Sequence, residues 1–211
     1  CAIPATPPGT RLASWVMPRL PIMNSPHTTP SAVVASTLLT LARAAIAARL
    51  QRTHGAEESA PWLRAQGATF VTLNLDEKLR GCIGSLRAHR TLIDDVKANA
   101  QAAAFSDPRF KPLSVEEYER IDIEVSLLSG LTPMQFNDEA SAMAQLQPMV
   151  HGVIFEYGHH RSTYLPQVWE QFPQPHMFIA MLKQKAGLPP TFWEPGVKLH
   201  TYTVAKFTEK R

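Results

Sequence analysis

Two short runs separated by three residues constrain this chain most. Residues 68–75, Ala-Thr-Phe-Val-Thr-Leu-Asn-Leu, alternate apolar and polar side chains over most of their length. That is the period of a half-buried strand. Residues 79–86, Leu-Arg-Gly-Cys-Ile-Gly-Ser-Leu, follow after only Asp76, Glu77 and Lys78. So short a polar break predicts a tight hairpin. Along its second strand Leu79, Gly81 and Ile83 point one way and Arg80, Cys82 and Gly84 the other. Guanidinium and thiol are therefore expected on one face.

The rest of the chain supplies helices and strands in alternation. Ser31–Gln51 places Val34, Leu38, Leu41, Ala45 and Ala48 on one helical stripe. Thr91 is a suitable N-cap for a helix to Phe105, with Asp94 and Asp95 near its positive end. Pro108 stops that helix by excluding Asp107 from the α region. Ser114–Glu119 reads as a short helix with an acidic first turn. Ile121–Leu128 alternates cleanly and reads as a central strand, with Asp122, Glu124 and Ser126 away from the core. Further on, Asn137–Leu146 reads as a helix capped by Asn137. Val150–Glu156 reads as a strand, residues 158–162 as a turn, Pro166 as a first helical turn, and Pro175–Ala186 as a helix ended by Gly187. Val197–Phe207 reads as one long closing strand. Hairpin strands with scattered helices predict an α+β fold with a mainly antiparallel sheet and flanking helices, in one domain or two closely packed subdomains.

Composition narrows the partners. The 211 residues carry a formal charge of +3, and residues 1–30 hold Arg11 and Arg19 with no acid. The body from residue 31 onward is left nearly neutral, which gives no electrostatic footprint for nucleic acid despite a pI near 9.0. Seven prolines in residues 1–30 predict a disordered extension ahead of a folded domain over 31–211. Cys1 and Cys82 are too few for a disulfide framework, which fits a reducing cytoplasm. The longest apolar stretch, near Ser31–Ala42, is interrupted by Arg43, so no membrane span is expected.

Several runs resemble one family in the same order. They are Leu79-Arg80-Gly81-Cys82-Ile83-Gly84, Asp107-Pro108-Arg109-Phe110, Glu124-Val125-Ser126, Leu165-Pro166-Gln167-Val168, and the stretch from Lys185 to Pro189. Together they resemble the AMMECR-type domain, also called AmmeMemoRadiSam system protein A, over residues 33–209. The resemblance implies a component of a modification system. Its implied partners are a Memo-like protein and a radical S-adenosylmethionine enzyme.

The chemistry centres on Cys82. A thiol reacts as its thiolate, and Arg80, two residues away on a strand, would lower its pKa. Gly81 and Gly84 would leave room for an approaching backbone. Glu124 joins the candidate site if its strand lies on the same side as Cys82. The plainer reading is a small buried strand residue. His151, His159 and His160 lie near loops; His159 and His160, with Glu156, would serve as a base for Cys82 or as metal ligands, and solvated loop histidines are the simpler account. Two functions follow: a thiol-containing groove at Arg80, Cys82 and Glu124, or a non-catalytic interaction module that uses the same groove.

Overall fold

The computed structural model of the protein describes residues 32–209. The expectation of disorder for residues 1–30 falls outside them. In chain order the elements are α1 (Ala32–Arg49), β1 (Gln66–Gly67), β2 (Thr69–Leu75), β3 (Lys78–Gly84), β4 (Arg90–Thr91), α2 (Leu92–Phe105), α3 (Val115–Tyr118), β5 (Ile121–Leu128), β6 (Thr132–Pro133), α4 (Glu139–Met143), β7 (Gly152–Tyr157), β8 (His160–Tyr164), α5 (Pro175–Lys185), β9 (Lys198–Tyr202) and β10 (Val204–Thr208). The fold is α+β, built on three antiparallel sheets. The chain divides into two compact units. Unit 1 runs through Leu128 and resumes at Ala205; unit 2 is Ser129–Val204.

Unit 1 is a four-stranded sheet in the order β10-β5-β2-β3, with a two-stranded ribbon of β1 and β4. Alternation decides its faces. Val71, Leu73, Ile121, Ile123 and Val125 are buried in one cluster with Leu38, Leu41 and Ala45 of α1 and Val96, Ala100 and Ala103 of α2. Burying one such aliphatic side chain contributes about 1.5–3 kcal/mol. The helix boundaries follow local chemistry. Thr91 accepts the Asp94 N–H at the start of α2, and Ser114 with Glu117 forms a reciprocal capping box on α3.

α1 departs from the sequence expectation at one point, since it runs unbroken through Arg43. By length and composition its 18 residues are long and apolar enough to cross a membrane. Its apolar stripe is nonetheless taken up by the core of unit 1. Arg43 is itself buried. It donates to the Glu209 carboxylate, to the Tyr118 carbonyl at 3.2 Å and to the Ile121 carbonyl at 2.8 Å.

Unit 2 carries the sheet β6-β9-β7-β8. Trp169 is fully buried and stacks on Phe178 with ring centroids 3.8 Å apart. Lys183 is 1% exposed, and its ammonium donates to Glu139 Oε1 at 2.7 Å. Three local readings change here. The cap of α4 is Asp138, which accepts the Ser141 N–H at 2.7 Å, rather than Asn137. Residues 160–164 form a strand, which overlaps the turn expected over 158–162. The stretch 197–207 is two strands in separate sheets, broken at Thr203, whose carbonyl accepts the Ser129 N–H at 2.9 Å.

Candidate functional site: the Cys82 row and its surroundings

β3 is the outer strand of the unit 1 sheet, and Cys82 stands opposite Thr72 of β2. The Cys82 N–H points away from β2 and donates to Asp107 Oδ2 at 2.9 Å. Cys82 and Thr72 are therefore a pair without mutual backbone bonds, where side chains stand closest. Accordingly Thr72 Oγ1 lies 3.2 Å from Cys82 Sγ. On its other side Thr72 faces Glu124 of β5. Cys82, Thr72 and Glu124 thus make one row across three strands, on the face turned from α1 and α2. Strands lie about 4.8 Å apart, so the backbones of Cys82 and Glu124 are about 10 Å apart, with Thr72 between them. Lys206 Nζ is 3.9 Å from Glu124 Oε1. Cys82 is 1% exposed.

Arg80 is directed elsewhere. The β2–β3 register shifts between Leu73 and Asn74, whose partners are Gly81 and Leu79, so Arg80 occupies a bulge. Its Nε and Nη2 donate to the two Glu117 oxygens at 2.8 and 2.9 Å, and Nη2 also to the Lys111 carbonyl at 2.8 Å. The capping box of α3 fixes Glu117 in place, and the Arg80 hydrogen bonds hold its carboxyl below the usual range. The charged neighbour of Cys82 is instead the pair Asp107–Arg109. Asp107 is 3% exposed; its oxygens accept the Arg109 Nε at 2.9 Å, Nη2 at 2.6 Å and backbone N–H at 3.1 Å. Those bonds, with the Cys82 N–H, hold the Asp107 carboxyl well below the ordinary carboxylate range. Arg109 Nη2 then reaches the Cys82 carbonyl at 3.4 Å. The rings of this loop complete the arrangement, with Phe110 flanked by the Arg80 and Arg109 guanidiniums at 5.6 and 5.3 Å.

The glycines of the motif serve internal packing. A Cβ on Gly81 would sit 2.2 Å from the Ala103 carbonyl oxygen, and one on Gly84 would sit 2.2 Å from the Phe70 ring. The space expected for an incoming backbone is filled by α2 and β2. Leu79-Arg80-Gly81-Cys82-Ile83-Gly84 is in this respect a joint between β3, α2 and the 105–118 segment.

A second polar centre went unread in the sequence. Asp95 is fully buried. It accepts hydrogen bonds from the Thr69 N–H and hydroxyl, the Ser85 hydroxyl, the Asn99 amide and Arg90 Nε, all between 2.7 and 2.9 Å. With its lone pairs so fully used it is a satisfied staple of α2 to β2. Asp95 and Asn99 lie on the same stripe as Leu92, Val96 and Ala103, and two polar residues on an apolar stripe are the signal that marks such a network.

The histidines are dispersed. His151 Nδ1 accepts the Gln147 N–H at 3.2 Å, and burial lowers its pKa. His160 Nδ1 lies 2.8 Å from the Ala186 carbonyl, and its ring is 4.2 Å from that of His159. Glu156 is 2.9 Å from Arg161 Nε. Among the described residues no three His, Cys, Asp or Glu side chains gather as a metal site.

Known proteins match this arrangement along most of the chain. The AMMECR1 family profile matches residues 39–207. A protein of Methanothermobacter thermautotrophicus is 34% identical over 178 residues, covering 82% of this chain and 93% of its own length. One of Caldivirga maquilingensis is 35% identical over 167 residues, covering 76% and 71%. The crystal structure of an uncharacterised protein from Pyrococcus horikoshii matches with a TM-score of 0.70 and 31% identity, over 82% of this chain and 90% of that one. With its signature runs placed as described, the chain belongs to the AMMECR1 family.

Proposed function

We propose that this protein is a cytoplasmic binding component of an AmmeMemoRadiSam-like modification system. It engages a Memo-like protein or a radical S-adenosylmethionine enzyme by surface complementarity, without thiol chemistry. The supporting observation is how completely the signature is used internally. Cys82 is 1% exposed, Arg80 is held by Glu117, and Arg109 is held by Asp107. A nucleophilic cysteine needs access and an uncommitted positive charge. Binding needs neither, and the row of Thr72, Glu124 and Lys206 offers hydrogen-bonding groups across the sheet face that carries Cys82.

The test is Cys82→Ser in the full chain under reducing conditions. Circular dichroism confirms the fold, and pull-down measures capture of the Memo-like and radical S-adenosylmethionine proteins. Capture within about threefold of wild type supports binding, a tenfold change being about 1.4 kcal/mol. Loss of capture or of the system's modification in a folded variant, together with fast alkylation of reduced wild-type Cys82, establishes the thiol groove instead. That second reading draws on the Thr72 hydroxyl 3.2 Å from the sulfur.

A further inference from the structure

Outer strands present backbone N–H and C=O groups that recruit other chains, and folded proteins guard them. At Cys82 both outward groups of β3 are occupied by side chains. The N–H donates to Asp107 Oδ2 at 2.9 Å, and the C=O accepts from Arg109 Nη2 at 3.4 Å. A carboxylate acceptor and a guanidinium donor stand where a neighbouring strand would place its own C=O and N–H. Asp107 and Arg109 also bond to each other, so the two are presented as one unit. The loop is fastened beside the strand by the Leu113 N–H to the Ala104 carbonyl at 2.8 Å and by Arg80 to the Lys111 carbonyl. The bulge at Arg80 further breaks the regular ladder of this edge.

We propose that the Asp107–Arg109 pair is a surrogate strand rung that keeps the β3 edge from pairing with a second copy of this chain. The pair does so by saturating the one outward N–H and C=O that lie at the centre of the strand. Removing the carboxylate leaves both groups to seek a partner, and an identical β3 edge offers the matching groups.

The test is sedimentation velocity of the full chain, reduced, over a wide concentration range. Wild type, Asp107→Ala, Asp107→Asn and the core truncation Val96→Ala are compared, with circular dichroism confirming each fold. Asp107→Ala is expected to self-associate about tenfold more tightly than wild type, whereas Asp107→Asn, which retains an oxygen acceptor for the Cys82 N–H, stays within about threefold. Should Asp107→Ala not fold, Arg109→Ala is read in its place, and it opens only the carbonyl. Folded variants that sediment as wild type overturn the proposal. So does equal association by Val96→Ala, because that would trace association to general destabilisation.

Discussion

The two larger sheets each end in a hairpin whose second strand is outermost, β2–β3 in unit 1 and β7–β8 in unit 2. Both turns are two residues long, and there the likeness stops. The first runs through Asp76 and Glu77 at φ of 50° and 63°, the left-handed region that side chains disfavour. The second runs through Gly158 at φ 56°, where glycine carries no such penalty. Their outer strands are also held differently. β3 depends at Cys82 on one buried carboxylate and its guanidinium. β8 is tied to the last turn of α5 by three separate contacts: Ser162 Oγ to the Leu182 carbonyl at 2.6 Å, His160 Nδ1 to the Ala186 carbonyl at 2.8 Å, and Lys185 Nζ to the Thr163 carbonyl at 2.9 Å. Where ties are redundant, one loss is absorbed. Where one group serves several partners, its loss is felt by all of them. The family signature sits on the less redundant hairpin.

The largest effect is expected at Gly81. Its Cβ would meet a backbone oxygen at 2.2 Å, which cannot rotate away as a side chain can. Gly81→Ala should destabilise unit 1 by about 3 kcal/mol, read by urea denaturation. A loss below about 1 kcal/mol would mean that α2 slides freely and that the joint is looser than its contacts imply.

Next comes the carboxylate. Asp107→Ala leaves the Cys82 N–H and Arg109 without their acceptor. Breaking a fully buried pair costs about 3–5 kcal/mol, and since Arg109 is 40% exposed the expected loss is about 2 kcal/mol. The same carboxylate sets a pH dependence. Its folded pKa lies below the ordinary Asp value of 3.8, so the stability it supplies is complete above that value. It is lost as pH falls below 3.8 toward the folded pKa, and Asp107→Asn should flatten that acid limb of the stability curve. On the other hairpin Ser162→Ala removes one tie of three and should cost about 1 kcal/mol. If it costs as much as Asp107→Ala, redundancy is not what separates the two edges.

Sequence and structure agree where the signal is local. Alternation places Val71, Leu73, Ile123 and Val125 on the buried face, and the Thr91 cap starts α2 as expected. The readings that failed depend on distant partners or on strands without an apolar face. β8 reads His-Arg-Ser-Thr-Tyr, and its burial comes from α5 rather than from any apolar period. Val197–Phe207 is apolar enough to read as one strand, but its halves pair in different sheets, with the Ser129–Thr203 bonds at the break. At the candidate site the order of β3, β2 and β5 places Cys82 and Glu124 in one row, while the partner of Arg80, Glu117, lies 37 positions away in sequence. Neither the bulge nor that ion pair leaves a mark in the motif itself.

The smallest effect concerns the two turns, and its sign is opposite. Glu77 has φ of 63°, a conformation that costs a side-chain-bearing residue about 1–2 kcal/mol. Glycine removes that cost but gives back about 0.5–1 kcal/mol in unfolded-state entropy. Glu77→Gly should therefore stabilise unit 1 by about 0.5 kcal/mol, seen as a small rise in the denaturation midpoint at unchanged m-value. The mirror experiment is Gly158→Ala, where open space removes any clash and φ of 56° alone sets the result, a loss of about 0.5 kcal/mol. Equal and opposite shifts would assign the difference between the hairpins to backbone conformation. A Glu77→Gly variant that loses stability would show instead that the Asp76–Glu77 turn is held by its flanking contacts, of which the Asp76–Arg120 ion pair is the nearest.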